Sequence, residues 1–333
     1  MIYYTRYHGA DKEGVHMEKI LVTAHLKGRG MDELKKRFNV TYPKEGRFTK
    51  EELLDIIAEY DGILMAGPGM DAKLMSAAKN LKIISVYGAG YDNIDIKEAS
   101  RRGILVANAP ESVREATAEI NFGLMIDVMR AITKRDRWLR QSPGTSWGSL
   151  PYEGRSLYGK TLGIIGLGSI GKAVARRGLA FGMSIKYYNR NRLSREVENE
   201  LRAEYLPMDE LLKASDVISI NTPLTAKTHG LIGKRELGLM KESAYLINTS
   251  RGKVVDETAL IKALQQGEIA GAGLDVFERE PYVPEALLEL ENVVLTPHIG
   301  TATDEVREQM ANEACQNILD FFSGITPKSA VNV

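Results

Sequence analysis

Residues 161–192, TLGIIGLGSIGKAVARRGLAFGMSIKYYNRNR, restrict the fold more than any other stretch. Thr161 to Ile165 is an apolar, β-branched run that reads as a buried strand. Gly166, Gly168 and Gly171 follow in G-x-G-x-x-G spacing, Lys172 to Ala180 reads as a helix, and Met183 to Tyr188 reads as the next strand. Gly166 allows a tight turn, Gly168 lets backbone approach a pyrophosphate, and Gly171 lets the helix pack closely. Ser169 and Ile170 open the helix, whose free N–H groups and positive dipole end favour phosphate. The five residues from this turn are therefore candidate dinucleotide contacts. Chance glycine spacing is common; strand, helix and strand around it argue for dinucleotide binding over an ordinary glycine-rich turn.

Twenty-three residues beyond Gly166, where a carboxylate would hold the adenosine ribose hydroxyls of NAD, stand Asn189, Arg190, Asn191 and Arg192, with Arg195 nearby. No acid repels a 2′-phosphate there, and a charge-assisted hydrogen bond from an arginine contributes about 1.5–3 kcal/mol. The turn predicts NADP(H) as the preferred cofactor, with NAD(H) possible. The competing reading is a solvated basic turn.

The 333 residues suit two domains, and 44% apolar with 26% charged content suits a soluble chain with a large core. Lys+Arg and Asp+Glu are both 44, so no general electrostatic drive toward nucleic acid or membrane arises. No run approaches the ~18 apolar residues of a membrane span. The N-terminus lacks the apolar middle of a signal peptide, and Cys315 is the single cysteine, most simply a buried apolar residue. A cytoplasmic protein is expected. His8 and His16 lie in a charged N-terminal segment, 1–18, read as an extension or poorly ordered arm; no metal site is expected.

Ahead of the fingerprint, strands at 19–23, 38–42, 61–66, 81–86 and 103–107 alternate with helical patterns at 31–38, 50–60 and 71–79. Gly67-Pro68-Gly69 and Gly88-Ala89-Gly90 follow the third and fourth of these strands, where exposed N–H groups can form a nest for a carboxylate. Asn108-Ala109-Pro110 reads as a hinge. Residues 111–140 read as one long helix, its apolar centre too wide for a surface helix. It is expected between domains or against a second subunit, followed by a long ordered loop at 141–158. Beyond Arg192 come helices near 193–201 and 208–214, strands at 216–220 and 243–247, a helix at 256–266, strands at 269–276 and 293–295, and a last amphipathic helix at 303–322.

Thr222, Arg251, Asp275 and His298 fall at or just past the carboxyl ends of expected strands, and Glu280 lies in the loop after one. Parallel strands gather those ends on one edge, beside the dinucleotide. Arginine is a forked, permanent donor for a carboxylate and keto oxygen. Histidine can protonate that oxygen as hydride reaches carbon, and a carboxylate beside it stabilises the imidazolium. Taken singly, a loop-capping Arg, a surface Glu and a core His are the blander readings; joint placement tips the balance.

With those residues in view, the chain resembles the D-isomer-specific 2-hydroxyacid dehydrogenase family from about Lys19 to Val333. The likeness rests on GLGSIGK (166–172), INTSRGKVVDETAL (247–260), GAGLDVFEREP (271–281), LTPHIG (295–300) and GAGYDNID (88–95). It is strongest to glyoxylate/hydroxypyruvate reductases, several of which use NADPH. Glu280 stands where a formate-dehydrogenase relative would carry an amide. The resemblance implies Arg251 as the substrate-binding electrostatic residue, Glu280 as the carboxylate partner and His298 as acid/base. It implies Asp275 near the nicotinamide amide, and Thr222, Pro223, Thr249, Ser250, Arg251, His298 and Gly300 along the cofactor. Ala89 and Gly90 would bind the substrate carboxylate through backbone, together with Arg251 and His298.

The fold implied is α/β, with two Rossmann-like doubly wound parallel-sheet domains and a cleft between them. A discontinuous substrate domain would take 1–107 and 299–333, a dinucleotide domain 108–298, with hinges near 108–110 and 298–301. The family is usually dimeric, so a homodimer is implied, with Trp147 reaching toward the partner's site. The expected partner is a small 2-keto acid, with no nucleic acid and no membrane. The alternatives are reduction of a larger acid, such as 2-ketogluconate or an aryl or branched 2-keto acid, and a dinucleotide-sensing binding protein of the same fold.

Overall fold

The computed structural model describes residues 4–7, 17–26, 28–142 and 153–333. Trp147, His8, His16 and most of the loop expected at 141–158 lie outside the described residues. The chain divides into two compact units, Met1–Val113 with Ala302–Val333, and Arg114–Thr301. The seams fall after 113 and 301 rather than after 107 and 298, for a hydrogen-bonding reason. Asn108 is tied into the first unit: its amide donates to Ala89 O at 2.8 Å, and its carbonyl accepts from Asn317 and Ser329. Ser112 donates to the Glu313 carboxylate of the same unit. At the other seam, the N–H groups of Ile299 and Gly300 are held by Asp275 of the second unit.

The first unit is built on β1 (Tyr4–Tyr7), β2 (Lys19–Val22), β3 (Asn39–Pro43), β4 (Gly62–Met65), β5 (Ile83–Val86) and β6 (Leu105–Ala107). They lie in the order β1-β3-β2-β4-β5-β6. All pair in parallel except β1, which runs antiparallel to β3. That strand makes residues 4–7 an extension that joins the sheet rather than part of a poorly ordered arm. Tyr7 stacks on Tyr42 across the pair, ring centroids 5.8 Å apart, and the Lys35 ammonium lies 4.8 Å from both rings. Such aromatic and cation–π contacts hold an edge that its charges alone would not predict. The helix expected over 50–60 is α-helical only from Lys50 to Ile56, started by a Thr49–Glu52 capping box, and tightens into a 3₁₀ turn at Ile57–Glu59. The terminal helix Asp304–Phe322 packs on this sheet, where Ser85 Oγ donates to Ala314 O at 2.8 Å. Cys315 is buried beneath it, and burial pushes its thiol up to about 12.

The second unit is a seven-stranded, wholly parallel sheet. Its strands are β7 (Thr161–Ile165), β8 (Ser184–Tyr188), β9 (Ala203–Tyr205), β10 (Val217–Ile220), β11 (Tyr245–Asn248), β12 (Gly271–Leu274) and β13 (Val293–Leu295). Their order is β13-β12-β11-β10-β7-β8-β9. The order reverses between β7 and β10, and the crevice at such a switch point is where sheets of this kind take ligands. β9, three residues long, was not legible in the sequence.

The single helix expected over 111–140 is two, Arg114–Arg130 and Ile132–Gln141. Ala131 between them is left-handed, at φ 54°, and the Asp127 carboxylate accepts from the N–H and hydroxyl of Thr133 beyond the break. The wide apolar face of the first helix is covered within its own unit, not between domains. Phe122, Leu124, Met125 and Met129 are buried against the Ser169–Ala180 helix and the sheet. Leu124 packs where a Cβ on Gly273 of β12 would sit. Each such side chain stabilises the unit by about 1.5–3 kcal/mol. No residue of the second helix is buried. Among the described residues, no helix is long and apolar enough to cross a membrane.

Candidate active site

The glycine turn lies at the end of β7. Gly166 has φ 95°, and a Cβ there would meet the backbone oxygen of Asn221 at 2.7 Å. Chain reversal and close approach to β10 both demand glycine. Gly171 faces Gly166 O, 2.3 Å from where its Cβ would be, so the helix seats on the turn itself. Gly168 caps the helix Ser169–Ala180 and has open space where a side chain would project. A phosphate fits there, against the free N–H groups of Ser169 and Ile170.

The strand β8 ends in the basic turn. Asn189 points inward, its Oδ1 accepting from Leu167 N at 2.7 Å and so bracing the glycine turn. Arg192 does not stand free as expected. Its guanidinium forks onto Glu198 at 2.8 and 2.9 Å, and Tyr187 donates to the same carboxylate at 2.7 Å. Those bonds, Arg192 first, hold the Glu198 carboxyl down at about 2. Arg190 and Asn191 are exposed, and among the described residues neither makes a hydrogen bond or ion pair.

The ends of β10 and β11 carry Thr222-Pro223 and Asn248-Thr249-Ser250-Arg251. Asn248 folds the latter loop: its Oδ1 accepts from Ser250 N and Oγ, and its Nδ2 donates to Arg251 O. Arg251 is half-buried, with Nη1 donating to Ser250 O at 2.7 Å. Gly252 follows, against the backbone of Phe277 and Glu278. A polar chain runs beneath both strand ends. Asn221 Nδ2 donates to Ser219 Oγ at 2.9 Å, Ser219 Oγ to Asn121 Oδ1 at 3.1 Å, and Asn121 Nδ2 to Thr249 Oγ1 at 3.0 Å. Asn121 is 0% exposed. The far end, Asn221 Oδ1, is a buried acceptor with no donor among the described residues, beside the glycine turn. An orphaned acceptor, an empty glycine cradle and free helix N–H groups together fit a hydroxyl- and phosphate-bearing dinucleotide.

Asp275, after β12, is 1% exposed and fully engaged. Its carboxylate accepts from Thr296 Oγ1 at 2.6 Å and from the N–H groups of Ile299 and Gly300 at 2.8 Å each, while its carbonyl accepts from His298 N. It thereby clamps the loop after β13 on both sides of His298, whose φ of 54° is a conformation a side chain adopts only when held. His298 Nδ1 lies 2.7 Å from Glu280 Oε2, and Glu280 Oε1 accepts from Phe277 N at 3.0 Å. Engaging Nδ1 this way leaves Nε2 as the ring atom for a substrate. The bond to Glu280 raises the His298 pKa above its ordinary value, against burial and the Arg251 charge that lower it. Burial pushes Glu280 up, but bonds from His298 and Phe277 N–H outweigh it and leave the carboxyl below its ordinary value.

The second unit therefore gathers Arg251, Asp275, Glu280 and His298 at the carboxyl edge of one sheet. Sequence reasoning missed Asn121, Thr117 and Asn221. Thr117 packs 3.6 Å from the Cβ position of Gly300, one helical turn from Asn121. Two uncharged polar residues four apart, in line with the apolar Met125 on one helix face, were the available signal. In the first unit, Ala89 and Gly90 lie in a half-buried turn after β5. Among the described residues their N–H groups have no partner, while the Ala89 carbonyl is held by Asn108.

A family model for the D-isomer specific 2-hydroxyacid dehydrogenase, NAD binding domain, matches residues 122–300. The glyoxylate reductase of Thermococcus gammatolerans is 45% identical over 320 residues, covering 94% of this chain and 96% of that protein. The crystal structure of a glyoxylate reductase from Paecilomyes thermophila superposes with a TM-score of 0.85 at 35% identity, over 95% of this chain and 99% of that one. An NADPH-dependent glyoxylate/hydroxypyruvate reductase from Sinorhizobium meliloti, solved with NADP and malonate, gives 0.84 at 35% identity, over 95% and 97%.

Proposed function

The chain belongs to the D-isomer specific 2-hydroxyacid dehydrogenase family of NAD(P)-dependent oxidoreductases, and from there we propose that it reduces a small 2-keto acid, of glyoxylate or hydroxypyruvate type, to the D-2-hydroxy acid with NADPH. The observation that carries this reading is the 2.7 Å His298–Glu280 bond within the electrostatic reach of Arg251. When bound, the dinucleotide supplies a hydride to the keto carbon. Arg251 binds the substrate carboxylate and polarises the keto oxygen. In the first unit, the N–H groups of Ala89 and Gly90 offer a nest for a carboxylate. His298 Nε2 delivers the proton to that oxygen, and Glu280 keeps the imidazolium loaded and oriented. Asp275 holds the loop that presents His298, and Thr222, Pro223, Thr249 and Ser250 line the dinucleotide. The test is oxidation of NADPH and NADH in parallel with glyoxylate and with hydroxypyruvate. No turnover with any of the four pairings counts against the reading.

The NADPH preference rests on Arg190. With Asn189 turned inward and Arg192 occupied by Glu198, Arg190 is the arginine of the 189–192 turn left to meet a 2′-phosphate. Arg190→Ala should lower kcat/KM for NADPH by roughly ten- to hundredfold and leave NADH nearly unchanged, the scale of one charge-assisted bond. Equal effects on both cofactors would remove this assignment.

A homodimer is part of the proposal. The unburied helix Ile132–Gln141 exposes Ile132 (53%) and Leu139 (41%) on one face, apolar surface suited to a second copy. Light scattering should give twice the chain mass, and Leu139→Asp should shift it toward one. A cytoplasmic setting is proposed as well; Cys315, the single cysteine, is buried.

A further inference from the structure

The first unit places a cation where its own sheet divides. Ala24 and Arg47 form an antiparallel bridge just past the carboxyl end of β2, closed by Phe48 N–H to Thr23 O at 2.9 Å and His25 N–H to Gly46 O at 2.8 Å. The bridge lays the Arg47 side chain over Gly67, past the end of β4. A Cβ on Gly67 would lie 3.1 Å from Arg47 Cδ and 3.3 Å from Nη1, and Gly67 has φ 123°. Space and backbone thus both favour glycine, and its absent side chain makes the seat for the arginine. Arg47 is exposed, and among the described residues its guanidinium has no ion pair or hydrogen bond.

The location is informative. β2 leads to β3 on one side and pairs with β4 on the other, so the switch point of this sheet lies between β2 and β4. Open α/β sheets bind ligands outside the strand ends at that point. β4 also pairs with β5 as far as Met65↔Val86, so Gly67 follows the end of one strand and the Ala89–Gly90 turn follows the end of its neighbour. Neighbouring strands lie about 4.8 Å apart, a span that a short carbon chain bridges.

Resting on the reductase reading, we propose that Arg47 binds a second anionic group at the far end of the substrate. The preferred substrates are then dianionic 2-keto acids rather than glyoxylate. A carboxylate and a phosphate ester share the required chemistry, since either accepts two parallel N–H bonds from the guanidinium fork.

The test compares kcat/KM for glyoxylate, 2-oxobutanoate, oxaloacetate and 3-phosphooxypyruvate in the full-length enzyme. Wild type should favour at least one dianion over 2-oxobutanoate, which lacks the second charge, by about tenfold or more. Arg47→Met should erase that preference through KM, about ten- to hundredfold, with glyoxylate within about twofold; Arg47→Lys should restore part of it. Whichever dianion gains identifies a carboxylate or a phosphate as the recognised group. An absent preference in wild type, a preference that survives Arg47→Met, or an equal loss on every substrate overturns the proposal. If wild type reduces none of the four acids, the reductase reading fails instead. Calorimetric titration with D-malate then decides Arg47 by itself: weaker binding by Arg47→Met supports it, and equal affinity overturns it.

Discussion

Replacing His298 with asparagine should lower kcat for 2-keto acid reduction by about 10²–10⁴-fold, the usual contribution of a positioned general acid. Dinucleotide affinity, read by fluorescence titration, should change little. Asparagine is the better first variant because it tolerates the left-handed backbone that His298 adopts, whereas alanine adds strain to the loss of the ring. The pH profile separates chemistry from architecture. Reduction requires the protonated imidazole, and Glu280 raises its pKa, so kcat/KM for reduction should fall as pH rises through that raised value. Oxidation of the hydroxy acid requires the neutral ring and should rise over the same interval. Glu280→Gln keeps the shape of the pair and removes the charge, so the alkaline limb of the reduction profile should move to lower pH. An unchanged limb would mean that another group is being titrated. A lost cofactor affinity in His298→Asn would mean that the residue holds the fold of the site.

The second large effect is expected at a residue with no chemistry of its own. A Cβ on Gly252 would fall 1.9 Å from Phe277 C, 2.1 Å from Phe277 O and 2.5 Å from Glu278 N. All three are backbone atoms, so no rotamer change relieves the clash, and one of the two loops must move. One begins with Arg251; the other leads to Glu280, whose carboxylate is bonded to Phe277 N. Gly252→Ala should therefore cost at least about 3 kcal/mol, the upper end of ordinary overpacking. For a unit of this size that lowers Tm by roughly 6–12 °C. Activity should fall further than stability predicts, because Arg251 and Glu280 separate while the dinucleotide turn at 166–171 is untouched. Calorimetry and steady-state kinetics on the same preparation check both statements. An unshifted Tm would show that the two backbones have room to part.

The sequence pattern made some of this architecture legible and hid the rest for identifiable reasons. Glycines at 166 and 171 were readable because each is forced by local geometry that side chains forbid, and Gly168 because it completes their spacing. Arg251, Asp275 and His298 were readable as residues at strand ends because short apolar runs mark those ends. The inward turn of Asn189 and the capture of Arg192 by Glu198 were not. Both depend on where a loop folds back, and neither carries a fixed spacing comparable to the i,i+4 pairs of a helix. The break at Ala131 was hidden because alanine is a strong helix former; the reversal is set by the Asp127–Thr133 bonds across it. β1 was hidden because a four-residue edge strand draws its stability from Tyr42 and Lys35, residues far along the chain.

The grip of Asp275 on residues 296–300 bears on the timing of catalysis. A histidine on a free loop would have to be found in its reactive pose anew for every substrate, and that search would appear as an entropic part of the barrier. Here a buried carboxylate fixes the backbone on both sides of the ring, and Glu280 fixes the ring. The loop gives up its disorder once, when the chain folds, and carries no such debt into each reaction cycle.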